Sequence, residues 1–266
     1  MGARIGQPML IENRPGAGGI VAHEACAKSP PDGYTFCIVS PAFAFEKYLE
    51  KVPYDWERDF RPIARMFALL EGWIAAAKVP ASNLQDLQRL ASVKPDAITF
   101  GVLGSGGSVP VRWLAERWMT SFVHVPYKGA PQMLTDIASG QVEVGQFGVG
   151  NAISLYKSGK VKVLAIGGAK RHPALPEVPA MGELGYSDMP RTVFWGLVGP
   201  AGLPETITAR LGRELQRQVS EPRMLELLES RFFDAAFLGP ADYAEFIRKE
   251  VALAGGLVKR YDLRAN

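Results

Sequence analysis

The chain has 266 residues, of which 47% are hydrophobic and 21% are charged, with 30 Lys and Arg against 27 Asp and Glu. This length allows one large or two medium domains with a buried core, and the composition excludes a disordered chain. The net charge of +3 is small and spread along the chain. We therefore expect no nucleic-acid partner, whereas small anions remain suitable ligands. No apolar run reaches the roughly 18 residues that span a bilayer, so we expect no membrane insertion.

The chain contains two cysteines, Cys26 and Cys37. They are too few for a disulfide framework or a cysteine zinc site, and we expect both to be small buried apolar residues. There is no His-x-x-x-His pair, no Cys-x-x-Cys pair and no clustered Asp loop. Because these are the usual spacings of metal ligands, we expect neither a metal nor another cofactor.

Strand-like and helix-like segments alternate along the chain. Short apolar runs bounded by turn residues predict strands at 8–12, 34–39, 73–77, 97–101, 142–147, 161–166 and 193–198. Between 207 and 219, apolar residues recur every four positions, which predicts an amphipathic helix. Pro222 and Pro240 suit the first turns of helices over 224–231 and 243–261, and Gly140 suits the end of another helix. The alternation favours mostly parallel sheets covered by helices.

Two segments, 78–83 and 199–204, combine proline with small or polar residues, as inter-domain hinges often do. They predict a discontinuous lobe (1–78 with 199–266) and a continuous lobe (79–198). A single domain with two ordinary loops is equally compatible with this composition.

The glycine-rich segment Gly101–Ser108 lies between a predicted strand and a predicted helix. Glycines let the backbone approach an anion, a helix start offers unpaired N–H groups, and Ser108 is a credible N-cap. A carboxylate or phosphate site is one interpretation, and a tight turn without a ligand is the other. The segment lacks the lysine of a P-loop and the third glycine of a dinucleotide fingerprint. A second glycine-rich segment, 13–19, allows the same two interpretations.

Ser105 is the one candidate nucleophile that the segment offers. A hydrolase elbow needs glycine two residues earlier, where Leu103 stands, and no motif surrounds His23, His124 or His172. We therefore expect no catalytic residue and no enzyme activity, with an α/β hydrolase that uses Ser105 as the alternative.

Several motifs follow one another in a characteristic order. They are Glu12-Asn-Arg-Pro-Gly-Ala-Gly-Gly19, Pro31-Asp-Gly-Tyr-Thr35, Val52-Pro-Tyr-Asp55, Gly104-Ser-Gly-Gly-Ser108, His124-Val-Pro-Tyr-Lys-Gly129, Arg171-His-Pro-Ala-Leu-Pro-Glu-Val-Pro179 and Trp195-Gly-Leu197. Together they resemble the Bug receptors, the extracytoplasmic solute-binding proteins (TctC type) of tripartite tricarboxylate transporters. The resemblance extends from about residue 6 to the C-terminus.

The resemblance implies the type II periplasmic binding protein fold, with two α/β lobes, a hinge of two crossings and a ligand cleft between the lobes. It implies a periplasmic receptor that captures a small organic carboxylate for the membrane components of its transporter. The residues implied in binding are the cradle Gly104, Ser105, Gly106, Gly107 and Ser108, then Tyr127, Lys128 and Gln146 near it, and Ser40, Ala42 and Phe43 of the other lobe. We add Trp195 as a possible cleft wall, because it lies on the predicted strand 193–198 near a proposed hinge.

The chain departs from the family pattern in three places. Val109-Pro-Val111 replaces the usual Ser-His-Leu, and Gln146 replaces a frequent aspartate, which makes an amino group on the ligand less favoured. Met1 falls where the family's first helix is ending, and the N-terminal residues 1–7 lack a signal-peptide pattern. We therefore expect the first strand and its glycine loop to be missing and carboxylate binding to be weak. A truncated cytoplasmic product and an effector-sensing domain of a regulator remain alternatives.

Overall fold

The structure is a computed structural model that describes residues 2–14, 16, 19–103, 106–189 and 193–263. The helices are α1 (Gly2–Ile5), α2 (Ile20–Ala27), α3 (Ala42–Leu49), α4 (Trp56–Asp59), α5 (Leu84–Val93), α6 (Val109–Trp118), α7 (Ala130–Ser139), α8 (Val149–Lys157), α9 (Glu205–Val219), α10 (Pro222–Ser230) and α11 (Pro240–Arg260). The strands are β1 (Cys37–Val39), β2 (Phe60–Leu69), β3 (Glu71–Ala76), β4 (Thr99–Leu103), β5 (Val123–Tyr127), β6 (Val144–Gly148), β7 (Val161–Ile166), β8 (Phe194–Pro200) and β9 (Phe233–Leu238). The chain divides into two compact units, unit 1 (1–68 with 192–266) and unit 2 (69–191).

Unit 1 contains a four-stranded sheet in the order β1-β8-β2-β9, in which β8 runs antiparallel to both β1 and β2. Strand β2 contains Pro62, which cannot donate to the ladder, and the register shifts directly after it. The predicted amphipathic helix is confirmed as α9. Its residues Leu211, Leu215 and Val219 are buried in one cluster with Ile63 of β2.

Unit 2 contains a five-stranded sheet in the order β5-β4-β6-β3-β7. Strand β4 is parallel to β5 and β6, while β3 is antiparallel to β6 and β7. Strands β4 to β7 therefore all run in one direction, with one helix between each consecutive pair, as the alternation predicted. Gly140 ends α7 in a left-handed conformation (φ 78°), also as predicted.

The prediction of mostly parallel sheets is wrong for unit 1 and for β3. Strand β3 inserts between β6 and β7 against their direction, and β8 returns late in the chain to pair antiparallel in unit 1. Both are pairings between segments distant in sequence, so local alternation carries no signal for them.

The unit boundaries differ from the predicted lobe boundaries of 78/79 and 198/199. Strand β3 is hydrogen-bonded into the sheet of unit 2, and β8 into that of unit 1. The proline-containing segments 78–83 and 199–204 instead lead from β3 into α5 and from the end of β8 into α9. Proline and small residues mark tight turns as readily as hinges, so composition alone does not fix a boundary between units.

Cys26 and Cys37 form a disulfide, so the prediction that they would be separate apolar residues is wrong. Cys26 is near the end of α2 and Cys37 begins β1, and their Cα atoms are 6.0 Å apart. The two cysteines are 11 residues apart in sequence, and the fold places their elements side by side. Two isolated cysteines in a sequence do not reveal this geometry. The bond fixes α2 to the sheet of unit 1.

The strand predicted at 8–12 is also not formed. The side chains of Leu10 and Ile11 are 93% and 90% exposed, and no strand pairs with them among the residues that the structure describes. An apolar run becomes a strand only where a neighbouring strand accepts its hydrogen bonds.

Candidate functional site

Strands β4 to β7 of unit 2 all end at one edge of the sheet, which we call the carboxyl edge. From β4 the chain passes through α6 to β5 on one side, and later through α7 to β6 on the other side. Strand order thus reverses at the end of β4. In open α/β sheets ligands bind outside the carboxyl ends of the strands at such a reversal. This topology directs attention to the segment between β4 and α6.

Gly104 and Ser105, the first two residues of the predicted cradle, lie outside the described residues. Gly107 is described, and its backbone turns back onto the end of β4. A Cβ atom at this position would lie 2.0 Å from the carbonyl oxygen of Leu103, far inside contact distance. Only glycine fits this return of the chain. The turn itself therefore explains why residue 107 is a glycine.

Ser108 stands at the N-cap position of α6, as predicted, but its side chain makes no capping hydrogen bond. The N–H of Val109 donates to the carbonyl of Gly106 (3.1 Å), and Pro110 has no N–H. No hydrogen bond of the Ser108 hydroxyl occurs within the part of the chain that the structure describes. The helix start thus offers a hydroxyl group and the positive end of the helix dipole to an anion.

Tyr127 and Lys128 follow one another at the end of β5. The Tyr127 hydroxyl donates to Oδ2 of Asp136 on α7 at 2.6 Å, and its ring lies against Gly101 of β4. Burial, with the bond to Asp136, raises the pKa of Tyr127 to about 12, so the hydroxyl remains a donor. Lys128 is exposed. The Tyr127 hydroxyl is therefore engaged with α7, whereas the Lys128 ammonium faces solvent.

Gln146 lies in the middle of β6, directly opposite Trp73 of β3, and only 9% of its surface is exposed. Its amide Nε2 donates to Oε2 of Glu71 at 3.4 Å. Nε1 of Trp73 is buried and has no hydrogen-bond partner among the described residues. Sequence reasoning noted that Gln146 replaces an aspartate, but it missed Glu71. The available signal was a lone acidic residue at the start of an otherwise apolar strand.

Three predicted site residues lie in unit 1 around the start of α3. Ser40 follows the carboxyl end of β1, and its carbonyl accepts the N–H of Phe43 at 3.2 Å. Ser40 and Ala42 are partly exposed. Phe43 is fully buried, with its ring centroid 4.3 Å from that of Trp56. Its side chain packs in the core of unit 1, and its assignment as a ligand contact stays a prediction.

Trp195, the remaining predicted residue, is on β8 in the sheet of unit 1. Its half-buried ring lies 6.0 Å from that of Phe67 and 5.5 Å from that of Phe233, centroid to centroid. These contacts give it a packing role, and its exposed part remains available to a ligand.

We also searched the described residues for a metal site, a catalytic histidine and a membrane-spanning helix. They contain no group of three or more His, Cys, Asp or Glu side chains that could hold a metal ion. His23, one of the three candidate bases, is buried beside Glu46 and Tyr54 in unit 1. Over the described ranges, we find no helix with both the length and the apolar surface needed to cross a membrane.

Comparison with known proteins gives consistent results. Residues 1–263 match the family described as "Tripartite tricarboxylate transporter family receptor". A UPF0065 protein from the tcbD-tcbE intergenic region of a Pseudomonas species is 28% identical over 270 residues, covering 100% of this chain and 80% of the relative. Protein BugT of Bordetella pertussis is 25% identical over 260 residues, covering 96% of this chain and 80% of BugT.

Solved structures agree with the sequence relatives. The Rhodopseudomonas palustris protein Rpa4515 with adipate is similar with a TM-score of 0.88 at 25% identity, covering 100% of this chain and 91% of that protein. MatC of the same organism with bound malate is similar with a TM-score of 0.80 at 25% identity, covering 96% of this chain and 90% of MatC. The periplasmic binding protein BugD is similar with a TM-score of 0.83 at 25% identity, covering 99% of this chain and 90% of BugD.

These similarities confirm the predicted fold class, the type II periplasmic binding protein fold. The family consists of transport receptors that bind solutes, so the protein is a solute-binding protein and not an enzyme. The hydrolase and regulator alternatives receive no support from any of these matches. With a match that extends over residues 1–263, the chain belongs to the tripartite tricarboxylate transporter receptor family.

Proposed function

We propose that this protein captures a small organic carboxylate at the start of α6 and delivers it to the membrane components of a tripartite tricarboxylate transporter. The observation that carries this proposal is the family match over the whole described chain, combined with the Ser108 side chain at the start of α6, which makes no capping hydrogen bond. The similar structures with adipate and with malate support a carboxylate as the ligand.

The physical basis is electrostatic. A carboxylate at the start of α6 gains the favourable field of the helix dipole, about 0.3–1 kcal/mol. Each charge-assisted hydrogen bond from a backbone N–H or the Ser108 hydroxyl contributes about 1.5–3 kcal/mol. Gly104–Ser108 form the cradle in this proposal, with Lys128 as a nearby positive charge. The proposal also includes contacts to the ligand from Ser40, Ala42 and Trp195. It keeps the predicted ligand cleft between the lobes.

We also propose that the protein works in the periplasm. Family membership supports this location, and so does the disulfide between Cys26 and Cys37, because such bonds persist in oxidising compartments and are rare in the cytosol.

The test is a thermal-shift screen with organic acids up to the millimolar range. Ligand at a hundred times its dissociation constant stabilises the folded state by about 2.7 kcal/mol. For a chain of this size we expect the melting temperature to rise by about 5–10 °C. The variant Ser108→Asp should lose this shift, because aspartate remains a good N-cap but places a negative charge where the carboxylate binds.

Asn83→Asp is the matched control. Asn83 is the N-cap of α5, where its side chain accepts the N–H of Asp86, and an aspartate can do the same. This variant adds the same charge to another helix start of unit 2 and should keep the full ligand shift. A shift that survives in Ser108→Asp would place the site elsewhere, and no shift with any acid would contradict the proposed function.

A further inference from the structure

The two sheets have four edge strands, β1 and β9 in unit 1 and β5 and β7 in unit 2. Three of them carry a feature that hinders pairing with another chain. Strand β5 contains the exposed Pro126, which has no N–H to donate, and β9 contains the exposed, charged Asp234. At the end of β7, Ile166 forms a bridge with Ala180, which covers that edge. Proteins use such features because an unprotected edge is a template for another strand.

Strand β1 has none of these features. It consists of Cys37, Ile38 and Val39, pairs with β8 on one side, and has no partner strand on its other side among the described residues. It contains no proline and no charged residue, and Ile38 is 56% exposed. The disulfide to α2 holds the strand in place. The side of β1 that faces away from β8, which we call the open edge, is therefore apolar and available for pairing.

The N-terminal segment 8–14 begins on the same side of unit 1 as the open edge. Nη2 of Arg210 on α9 lies 3.5 Å from the carbonyl oxygen of Ile5. One turn earlier on α9, the side chain of Ile207 lies 2.9 Å from the position of a Cβ on Gly33. The chain runs from Ile5 into segment 8–14 and from Gly33 into β1, so both begin beside the same turn of α9.

Segment 8–14 has the composition of a strand without its pairing. All of its residues are exposed, with Leu10 at 93% and Ile11 at 90%. Its backbone groups make no hydrogen bond to any residue that the structure describes. Its two charged residues, Glu12 and Arg14, form an ion pair with each other, so the segment has no net charge. Two copies of this surface would therefore not repel each other.

We infer that the protein forms a two-fold symmetric dimer in which segment 8–14 of each copy pairs with the open edge of β1 in the other copy. Each chain offers one unpaired strand-forming segment and one unprotected edge, and a two-fold arrangement satisfies both at once. The neutral charge of the segment favours a second copy over a strongly charged partner. The inference is independent of the proposed function, because the carboxylate cradle belongs to unit 2.

The first measurement is the mass of the full chain in solution. Size-exclusion chromatography with light scattering should give twice 28.9 kDa at high protein concentration and 28.9 kDa after dilution. We expect a dissociation constant in the micromolar range, because short paired strands bury a small area. Hydrogen exchange at both concentrations locates the contact. The amides of residues 9–14 and of β1 should exchange about ten-fold more slowly in the dimer.

The double variant Leu10→Lys with Ile11→Lys tests the segment. Both side chains are exposed in the monomer, so the variant should fold, but in the dimer it would place charges against an apolar edge. We expect the dissociation constant of the dimer to rise about a hundred-fold or more. Ile38→Lys adds a charge to the open edge and should weaken the dimer about ten-fold. Met119→Lys is the matched control, because Met119 of unit 2 is as exposed as Leu10 at 93%, and the dimer should change less than about two-fold.

The outcomes separate this inference from other forms of association. A mass of 28.9 kDa at every concentration would overturn it, and so would a dimer that survives in the double variant or that Met119→Lys weakens equally. Species that grow beyond two copies with concentration would indicate open-ended association and would overturn the two-fold dimer. The melting temperature of each variant shows that it is folded. The carboxylate screen reads the proposed function separately, so either proposal can fail without the other.

Discussion

Two glycine-rich segments of this chain have the same local pattern and different surroundings. The N-terminal glycine loop (13–19) precedes α2 in unit 1, and the cradle loop (104–108) precedes α6 in unit 2. Neither helix start has a side-chain cap. At α2, however, Oε1 of Glu46 lies 3.8 Å from the position of a Cβ on Gly19, whereas at α6 the Ser108 hydroxyl has no hydrogen bond to the residues that the structure describes.

The start of α2 therefore has an internal counter-charge. Glu46 is buried and accepts a hydrogen bond from the Tyr54 hydroxyl at 2.6 Å, and Nδ1 of His23 lies 3.2 Å from the same carboxylate oxygen. Burial, together with the bond to Glu46, raises the pKa of Tyr54 and keeps its hydroxyl a donor. A ligand anion at α2 would meet this carboxylate. The comparison teaches that a glycine loop before a helix is less suited to an anion where the fold packs a carboxylate against the helix start.

The largest expected effect separates the two loops by their need for glycine. Gly107→Ala should lower the free energy of unfolding by about 4 kcal/mol or more, because its Cβ would overlap the backbone of Leu103. Gly19→Ala should cost less, since its Cβ would lie 3.3 Å from the His23 ring and the main penalty is its positive φ of 117°. Urea unfolding measures both.

Gly256→Ala is the control for this pair. Gly256 is within α11, and nothing lies within 4 Å of an added Cβ, so alanine should stabilise the protein by about 0.5–1 kcal/mol. Equal losses at positions 107 and 19 would mean that the two loops are under the same constraint.

The second effect concerns the counter-charge at α2. Glu46→Ala should lower the free energy of unfolding by about 3 kcal/mol, because it leaves His23 and Tyr54 buried without their acceptor. Glu205→Ala removes the partner of Arg61 in an exposed ion pair and should cost less than about 1 kcal/mol. Similar values for the two variants in urea unfolding would contradict a structural role for Glu46 and make the two helix starts equivalent.

The smallest effect is a pH dependence in unit 2. Burial, and then the positive charge of Arg112 on α6, hold the pKa of His124 below its ordinary value of 6.5. At a pH between the lowered pKa of the folded chain and the ordinary pKa of about 6.5, the unfolded chain binds a proton that the folded chain does not. The free energy of unfolding should therefore fall as the pH drops below about 6.5. His124→Gln should weaken this dependence.

Urea unfolding at about pH 7.5 and about pH 5.5 measures the difference between the wild type and His124→Gln. The same slope in both proteins would remove His124 as its source. If the pH dependence of the free energy of unfolding also weakens when Arg112 is replaced, the contrast between the two helix starts becomes sharper. Helix α6 then has a cation one turn from its start, whereas α2 has a buried carboxylate.

Sequence patterns predicted several elements well. The four-residue periodicity of 207–219 became α9, the apolar run 161–166 became β7 with the same bounds, and Gly140 ended α7. These features depend on residues close together in the chain, whose periodicity and backbone preferences act locally. The ordered motifs likewise identified the family, because motif order is a property of the sequence itself.

The tertiary structure alone decided the remaining features. The insertion of β3 between β6 and β7, the disulfide between Cys26 and Cys37, and the burial of Phe43 depend on which segments meet in the folded chain. Glu71 and Gln146 are 75 residues apart in sequence and share a hydrogen bond across two strands. The sequence by itself determined that two glycine loops precede two helices. Which of them can receive an anion depends on side chains brought from distant positions, because the local charge at a helix start is set by everything packed around it.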